Sequence, residues 1–285
     1  KIMSLSEKAM LVDLNISQWG AKVEDKRATD MVLNNSGAQT NSGKFYKKLM
    51  DKYTTKISQI ANKARMFHNY NTIPWDRDGR SILPVKNYFY YVEEMGKIKQ
   101  EMMRVVDEFL TNYGDELEEE KNRLQGLFNP SDYPTVEELR SKYNLHYIME
   151  PIPTSGDFRV DIQAEEVEKL KAQLEERLKE KTEEAVKELF QRLYNVVTHL
   201  SNRLKEKSNN PKARLHESTV NNIKALCDTL PRLNLTGNKE LEELTERVER
   251  ELTAFTIDDM KDDEIIRHQT IKAAEALADK IAEFM

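Results

Sequence analysis

Cysteine is almost absent from this chain. Cys227 stands alone among 285 residues, so no disulfide can form within it. A free thiol suits a reducing compartment. Its neighbours, Ala225-Leu226-Cys227-Asp228, read as the setting of a small buried hydrophobe, and no histidine lies close by in sequence to activate it. Glycine (9) and proline (8) are scarce too, which disfavours a turn-rich, sheet-rich fold. No apolar run approaches the roughly 18 residues a spanning helix needs. The start of the chain shows no signal-peptide pattern. The expected setting is the cytoplasm, with no membrane role.

The familiar chemical motifs are missing as well. His68, His146, His199, His216 and His268 fall in no H-E-x-x-H or other ligand spacing, and one cysteine adds little to a zinc set. There is no P-loop, no G-x-G-x-x-G and no G-x-S-x-G. Carboxylate pairs abound, but among 50 Asp and Glu they read as solvated helix faces. We therefore assign no catalytic residue, no metal ligand and no cofactor.

What is present is charge and helical periodicity. Charged residues make up 33% of the chain and hydrophobic residues 39%, enough for at least one sizeable core. The net charge of −6 supplies no global attraction to nucleic acid, so any such binding needs a local basic patch. Met10, Val12, Leu14 and Ile16 alternate with polar or opposite-facing neighbours and suggest a strand over 10–17, although a helix capped by Ser4 and Glu7 competes. A charged helix should follow to about Val32, then a polar loop, Asn34 to Gly43. Phe45 to about Asn69 and Asn87 to Gln125 read as amphipathic helices, and Thr135 with Glu138 marks the capping box of a short one. Two strands are expected at 145–152 and 157–162. The Asp76-Arg77-Asp78-Gly79 piece reads as a tight turn, since the further ligands of a calcium loop do not follow.

Ala164 to Lys207 carries the clearest pattern. A helix of about 44 residues would span roughly 65 Å. Val167, Leu178, Leu189 and Leu200 recur every eleven residues, as do Leu174, Ala185 and Val196, which makes a nearly straight apolar stripe. The stripe widens after Val186, so the second half should pack into the body. The first half should project or pair along a narrow seam, with Val167, Leu174 and Leu178 as candidate partner-binding residues. Ser218 to Leu230, Asn238 to Phe255 and Asp258 to Phe284 complete a helical C-terminal part.

Two further patches are candidates. Trp75, Tyr88, Phe89, Tyr90 and Tyr91 lie close together, as a core joint or a recognition surface, with Trp75 and Tyr90 the candidates for partner contact. Arg203, Lys205, Lys207, Lys212 and Arg214 could meet phosphates, or could simply complement the C-terminal dipole of the long helix.

Six segments, LNISQWGAKVEDK (14–26), IPWDRDGRSILPVKNYFYY (73–91), GLFNPSDYP (126–134), DFRVDI (157–162), ELFQRLYNVV (188–197) and LCDTLPRLNLTGNKELEEL (226–244), together resemble an uncharacterised protein family of bacteriophages and prophages. The resemblance covers nearly the whole chain in order. Genes of that family often lie beside those for a MoxR-type AAA+ ATPase and a von Willebrand A-domain protein. The family has no established activity. The resemblance thus implies a phage origin, action in the host cytoplasm and those two partners, and it transfers no functional residue.

The expected fold is mainly α and elongated, an α+β arrangement with a small antiparallel sheet of two or three strands. The expected division is a main domain over 1–211 and a C-terminal helical subdomain over 212–285. The expected function is a non-enzymatic phage adaptor or assembly protein. A nucleic-acid-binding protein of recombination or replication is the alternative, as is a self-assembling structural or host-defence-inhibiting protein.

Overall fold

The computed structural model describes residues 5–76, 79–157 and 164–285. The elements run α1 (Leu5–Lys8), β1 (Ala9–Ser17), β2 (Lys22–Glu24), α2 (Lys26–Ser36), β3 (Tyr46–Lys48) and α3 (Asp51–Asn71). Next come β4 (Ile73–Pro74), β5 (Ser81–Pro84), α4 (Tyr88–Thr111), α5 (Tyr113–Leu124), α6 (Val136–Lys142) and β6 (Asn144–Pro151). The last are α7 (Ala164–Asn209), α8 (Ser218–Leu233), α9 (Lys239–Leu252), α10 (Ile257–Asp262) and α11 (Glu264–Ala282). The fold is mainly α with small antiparallel sheets, as the composition and periodicity imply. Of the strand expected at 157–162, all but Asp157 lies outside the described residues, and so do Arg77 and Asp78 of the tight turn.

The larger sheet has the order β4-β5-β1-β6. β1 runs antiparallel to β5 with Leu11 opposite Ile82, and β4 pairs β5 with Ile73 opposite the same Ile82. A second sheet joins β2 and β3 antiparallel, Val23 opposite Lys47. β2 to β5 are too short to display a period of two, and they fall where helix or turn is expected. Tyr46–Lys48 replaces the first residues of the helix expected from Phe45, because its backbone pairs with a partner distant in sequence.

Two long helices are interrupted. The helix expected over Asn87–Gln125 breaks at Asn112, whose φ of −93° and ψ of 6° lie off the helical basin. Thr111, Asn112 and Gly114 are weak helix formers in one turn. The helix expected from Asp258 breaks at Asp263, whose carboxylate accepts from the N–H groups of Ile265 and Ile266 and so starts α11. Conversely, α8 runs through Pro231 to Leu233. Proline there costs the bond to the Cys227 carbonyl, while buried Leu230 and Leu233 hold the last turn in place.

The chain forms two compact units. The first comprises 1–12, 70–89 and 149–285, and the second 13–69 and 90–148. Neither coincides with a break after residue 211. In the first unit the second half of α7 packs against α11 and α8, with α9 beside them. Leu189, Leu193, Val197 and Leu200 of α7 share one core with Ile223 and Leu230 of α8, Leu277 of α11, and Ile73, Trp75 and Ile82. Arg192 anchors this core, donating to the carbonyls of Tyr70 (3.2 Å) and Thr72 (2.8 Å).

In the second unit α3 runs antiparallel to α4. Tyr53 stacks on Phe109 (5.0 Å), Lys63 pairs with Glu101 (2.7 Å), and Phe67 meets Tyr91 (5.6 Å). Met95, Met102, Val105 and Phe109 are buried along α4 at helical spacing. The Thr135–Glu138 capping box forms as expected and starts α6.

Candidate interaction surfaces

The two halves of α7 differ in burial. From Ala185 onward Leu189, Leu193, Val197, Leu200 and Leu204 are buried, whereas Val167, Leu170, Leu174 and Leu178 are only half-buried. Leu178 already packs against the core of the first unit, which leaves Val167 and Leu174 as the sequence-expected residues with more to gain from a partner. Around them the helix is laced by its own ion pairs, Lys169 with Glu165 (3.2 Å) and Glu166 (2.9 Å), and Lys171 with Glu168 (2.8 Å). Such exposed pairs are screened by solvent and individually weak, yet at helical spacing they favour the helix where its packing is thin.

The aromatic cluster splits. Trp75 is only 5% exposed and belongs to the core, so it is not a docking ring. Tyr91 is fully buried, its hydroxyl 2.8 Å from Nδ1 of His68. Burial pushes the His68 pKa down to about 4 and the Tyr91 hydroxyl above its usual range. The imidazole is therefore neutral and the tyrosine protonated, and the tautomer of His68 sets which of the two donates. Tyr90 is 42% exposed, its ring 6.0 Å from Phe67, and Phe89 is 82% exposed. Of the sequence-expected rings, Tyr90 keeps a face for contact.

The basic stretch is largely occupied by the fold. Arg203 pairs with Glu206 and donates to the Arg214 carbonyl (2.6 Å). Lys205 pairs with Glu275 of α11, and Lys207 donates to the Pro211 carbonyl. Among the described residues, Lys212 and Arg214 alone of the five make no side-chain hydrogen bond or ion pair. Cations at the end of a helix here cap and brace it.

One cluster is invisible in the sequence. Lys47 is buried at the floor of a cleft of about 490 Å³ lined also by Glu24, Arg27 and Asn129. Its ammonium meets Asp132 (2.6 Å), Asp25 (3.3 Å) and the Leu127 carbonyl (2.8 Å). Burial works against the charge, but the two aspartates outweigh it and hold the Lys47 pKa above its ordinary value. All three N–H donors are used, so Lys47 clamps the 127–132 segment rather than acting as a nucleophile. The same reasoning disposes of Cys227, which is buried and whose thiol is pushed up to about 12.

Among the described residues no cluster of His, Cys, Asp and Glu suits a metal ion, and no helix is long and apolar enough to cross a membrane. No known protein family, curated protein or solved structure matches this chain.

Proposed function

We propose that this chain is a non-enzymatic adaptor or assembly protein, a phage component that acts with a MoxR-type ATPase and its von Willebrand A-domain partner. The partners follow from the family resemblance. The observation in favour of a docking role is the contrast along α7, buried from Ala185 onward and half-buried before it. A helix fixed at one end and lined by a narrow apolar stripe at the other offers a protein a groove-filling ridge.

The test is association. Val167→Glu with Leu174→Glu should abolish recovery of the tagged chain's protein partner, with helicity unchanged in the far ultraviolet. Survival of the interaction would remove α7 as the docking element. Recovery of the ATPase from infected cells after nuclease treatment would support the adaptor reading. Its absence would leave the gene-neighbourhood argument without force. The nucleic-acid alternative is disfavoured by the internal engagement of Arg203, Lys205 and Lys207. Absence of a gel shift even at low salt would remove it.

A further inference from the structure

A cleft of about 260 Å³ opens in the second unit, between the Trp19–Lys22 segment and the first turns of α3. The half-buried indole of Trp19 forms one wall, and α3 contributes Gln59 and Asn62. The frame is fixed. Ala21 and Met50 both hold left-handed backbone, φ 48° and 51°, which is unfavourable for residues with a Cβ. Both are buried, and the Leu49 N–H donates to the Ala21 carbonyl (2.9 Å), which ties the segment to the approach to α3. Strain held in place by its surroundings in this way is the mark of a preformed site. The volume lies just under the roughly 300–1,000 Å³ of pockets that enclose a drug-sized ligand, so the cleft suits one small unit.

The cleft holds a charge arrangement that the fold does not resolve. Lys22 of β2 stands directly opposite Lys48 of β3 in the antiparallel register, and both line the cleft. Directly opposed residues share one face of a strand pair, and like charges there destabilise it. Asp51 is the one carboxylate in the lining. It lies 3.8 Å from the Lys48 ammonium and already accepts from Thr55 (3.0 Å). Among the described residues the Lys22 ammonium has no partner at all. Neutral donors beside the lysines are unused too. Among the described residues, neither Nε1 of Trp19 nor the Gln59 amide makes a hydrogen bond. Asn62 uses only its Oδ1, which accepts from Arg65 (3.0 Å). An acidic chain thus sets two cations face to face beside an aromatic ring, with one engaged anion between them and neutrality.

An indole wall, two opposed cations and two free carboxamide N–H groups match the three parts of a nucleotide. We propose that this cleft binds a nucleoside monophosphate, free or as one unit of a single strand. The base stacks on Trp19, the phosphate bridges Lys22 and Lys48, and Gln59 and Asn62 meet the base edge or the ribose hydroxyls. A phosphate between the lysines removes their repulsion. A neutral sugar stacked on the same ring would leave it in place. The site stands on its own residues and holds whether or not α7 docks a partner.

Trp19 and Trp75 are the only tryptophans, so full-length protein with nitrogen-labelled indoles gives one signal for each, and buried Trp75 is the internal reference. The probes are adenosine, guanosine, cytidine and uridine monophosphates, with adenosine and ribose phosphate as counterparts that lack the phosphate or the base. The Trp19 signal should shift and saturate with a nucleotide while Trp75 stays still, and each counterpart should bind at least about tenfold more weakly. A short oligothymidylate set against thymidine monophosphate separates the sources. A gain of about tenfold or more identifies a strand, and equal affinity identifies the free nucleotide. Lys22→Gln with Lys48→Gln should weaken nucleotide binding by about tenfold or more without lowering the unfolding midpoint, because it removes a repulsive pair. Lys56→Gln with Lys99→Gln, an equal charge change at exposed positions elsewhere in the second unit, should leave affinity within about twofold. A Trp19 signal that stays still with every nucleotide, a counterpart that binds as tightly, or indifference to the Lys22/Lys48 change would each overturn the proposal.

Discussion

His68 shows how one buried residue sets a pH dependence. Five histidines without ligand spacing gave no reason to single it out, because its burial depends on which face of α3 meets Tyr91. Burial pushes its pKa from the ordinary imidazole value of 6.5, kept in the unfolded chain, down to about 4 in the folded one, with Asp13 only partly offsetting burial. Between those values the unfolded chain holds the extra proton. Stability is therefore complete above about pH 6.5 and falls as pH drops toward 4, by up to about 3 kcal/mol. His68→Asn keeps an acceptor for Tyr91 but cannot titrate. Urea midpoints near pH 7 and pH 4.5 should converge in this variant relative to the wild type. Equal pH slopes in the two proteins would show that His68 is not the titrating group. Lys47 makes the complementary case, a cation whose removal strands two anions. Lys47→Met should cost about 3–5 kcal/mol. Adding Asp132→Asn should restore part of that loss, measured by the same denaturation in a double-mutant cycle.

At the scale of elements, the sequence was readable where structure is local and opaque where it is not. The capping box at Thr135 and Glu138 and the cap at Asn238 sit at fixed offsets from the helices they start, so both helix starts are visible in the bare sequence. α7 was readable because its eleven-residue repeat runs for many turns. The strands β2 to β5 were not, since a segment of two to four residues becomes a strand only through a distant partner. The helix breaks failed for a subtler reason. In Asp258 to Glu264 a polar residue suits both an exposed helix position and a cap, and only the backbone chooses. Asp263 now caps α11 with two bonds, of 2.8 and 3.1 Å. Asp263→Ala should cost about 1–2 kcal/mol in thermal or urea unfolding. A change within a few tenths of a kcal/mol, below about 0.5, would mean that water or α10 supplies the cap.

At the scale of the whole molecule, the candidate sites follow the same division. The α7 stripe was legible because it is periodic. The Lys47 cluster was not, because Asp25, Lys47 and Asp132 meet from segments far apart in the chain. The two compact units are each assembled from separate stretches of the chain. A break at the Ser208–Pro211 punctuation looks natural, yet α8, α9 and α11 bury their apolar faces against the second half of α7, which precedes it. Residues 212–285 alone would expose Leu226, Leu230, Ala274 and Leu277, and would lose Arg192 and the β-strand residues Ile73 and Ile82 that complete the core. Expressed by itself, this fragment should retain some helix but lack dispersed amide signals and a cooperative melt, the marks of missing packing. Co-expression with residues 1–211 should restore both, because the missing surface returns in trans. If 212–285 folds alone with its own sharp transition, the C-terminal helices are an autonomous domain. The core they share with α7 would then be an interface between domains rather than the centre of one.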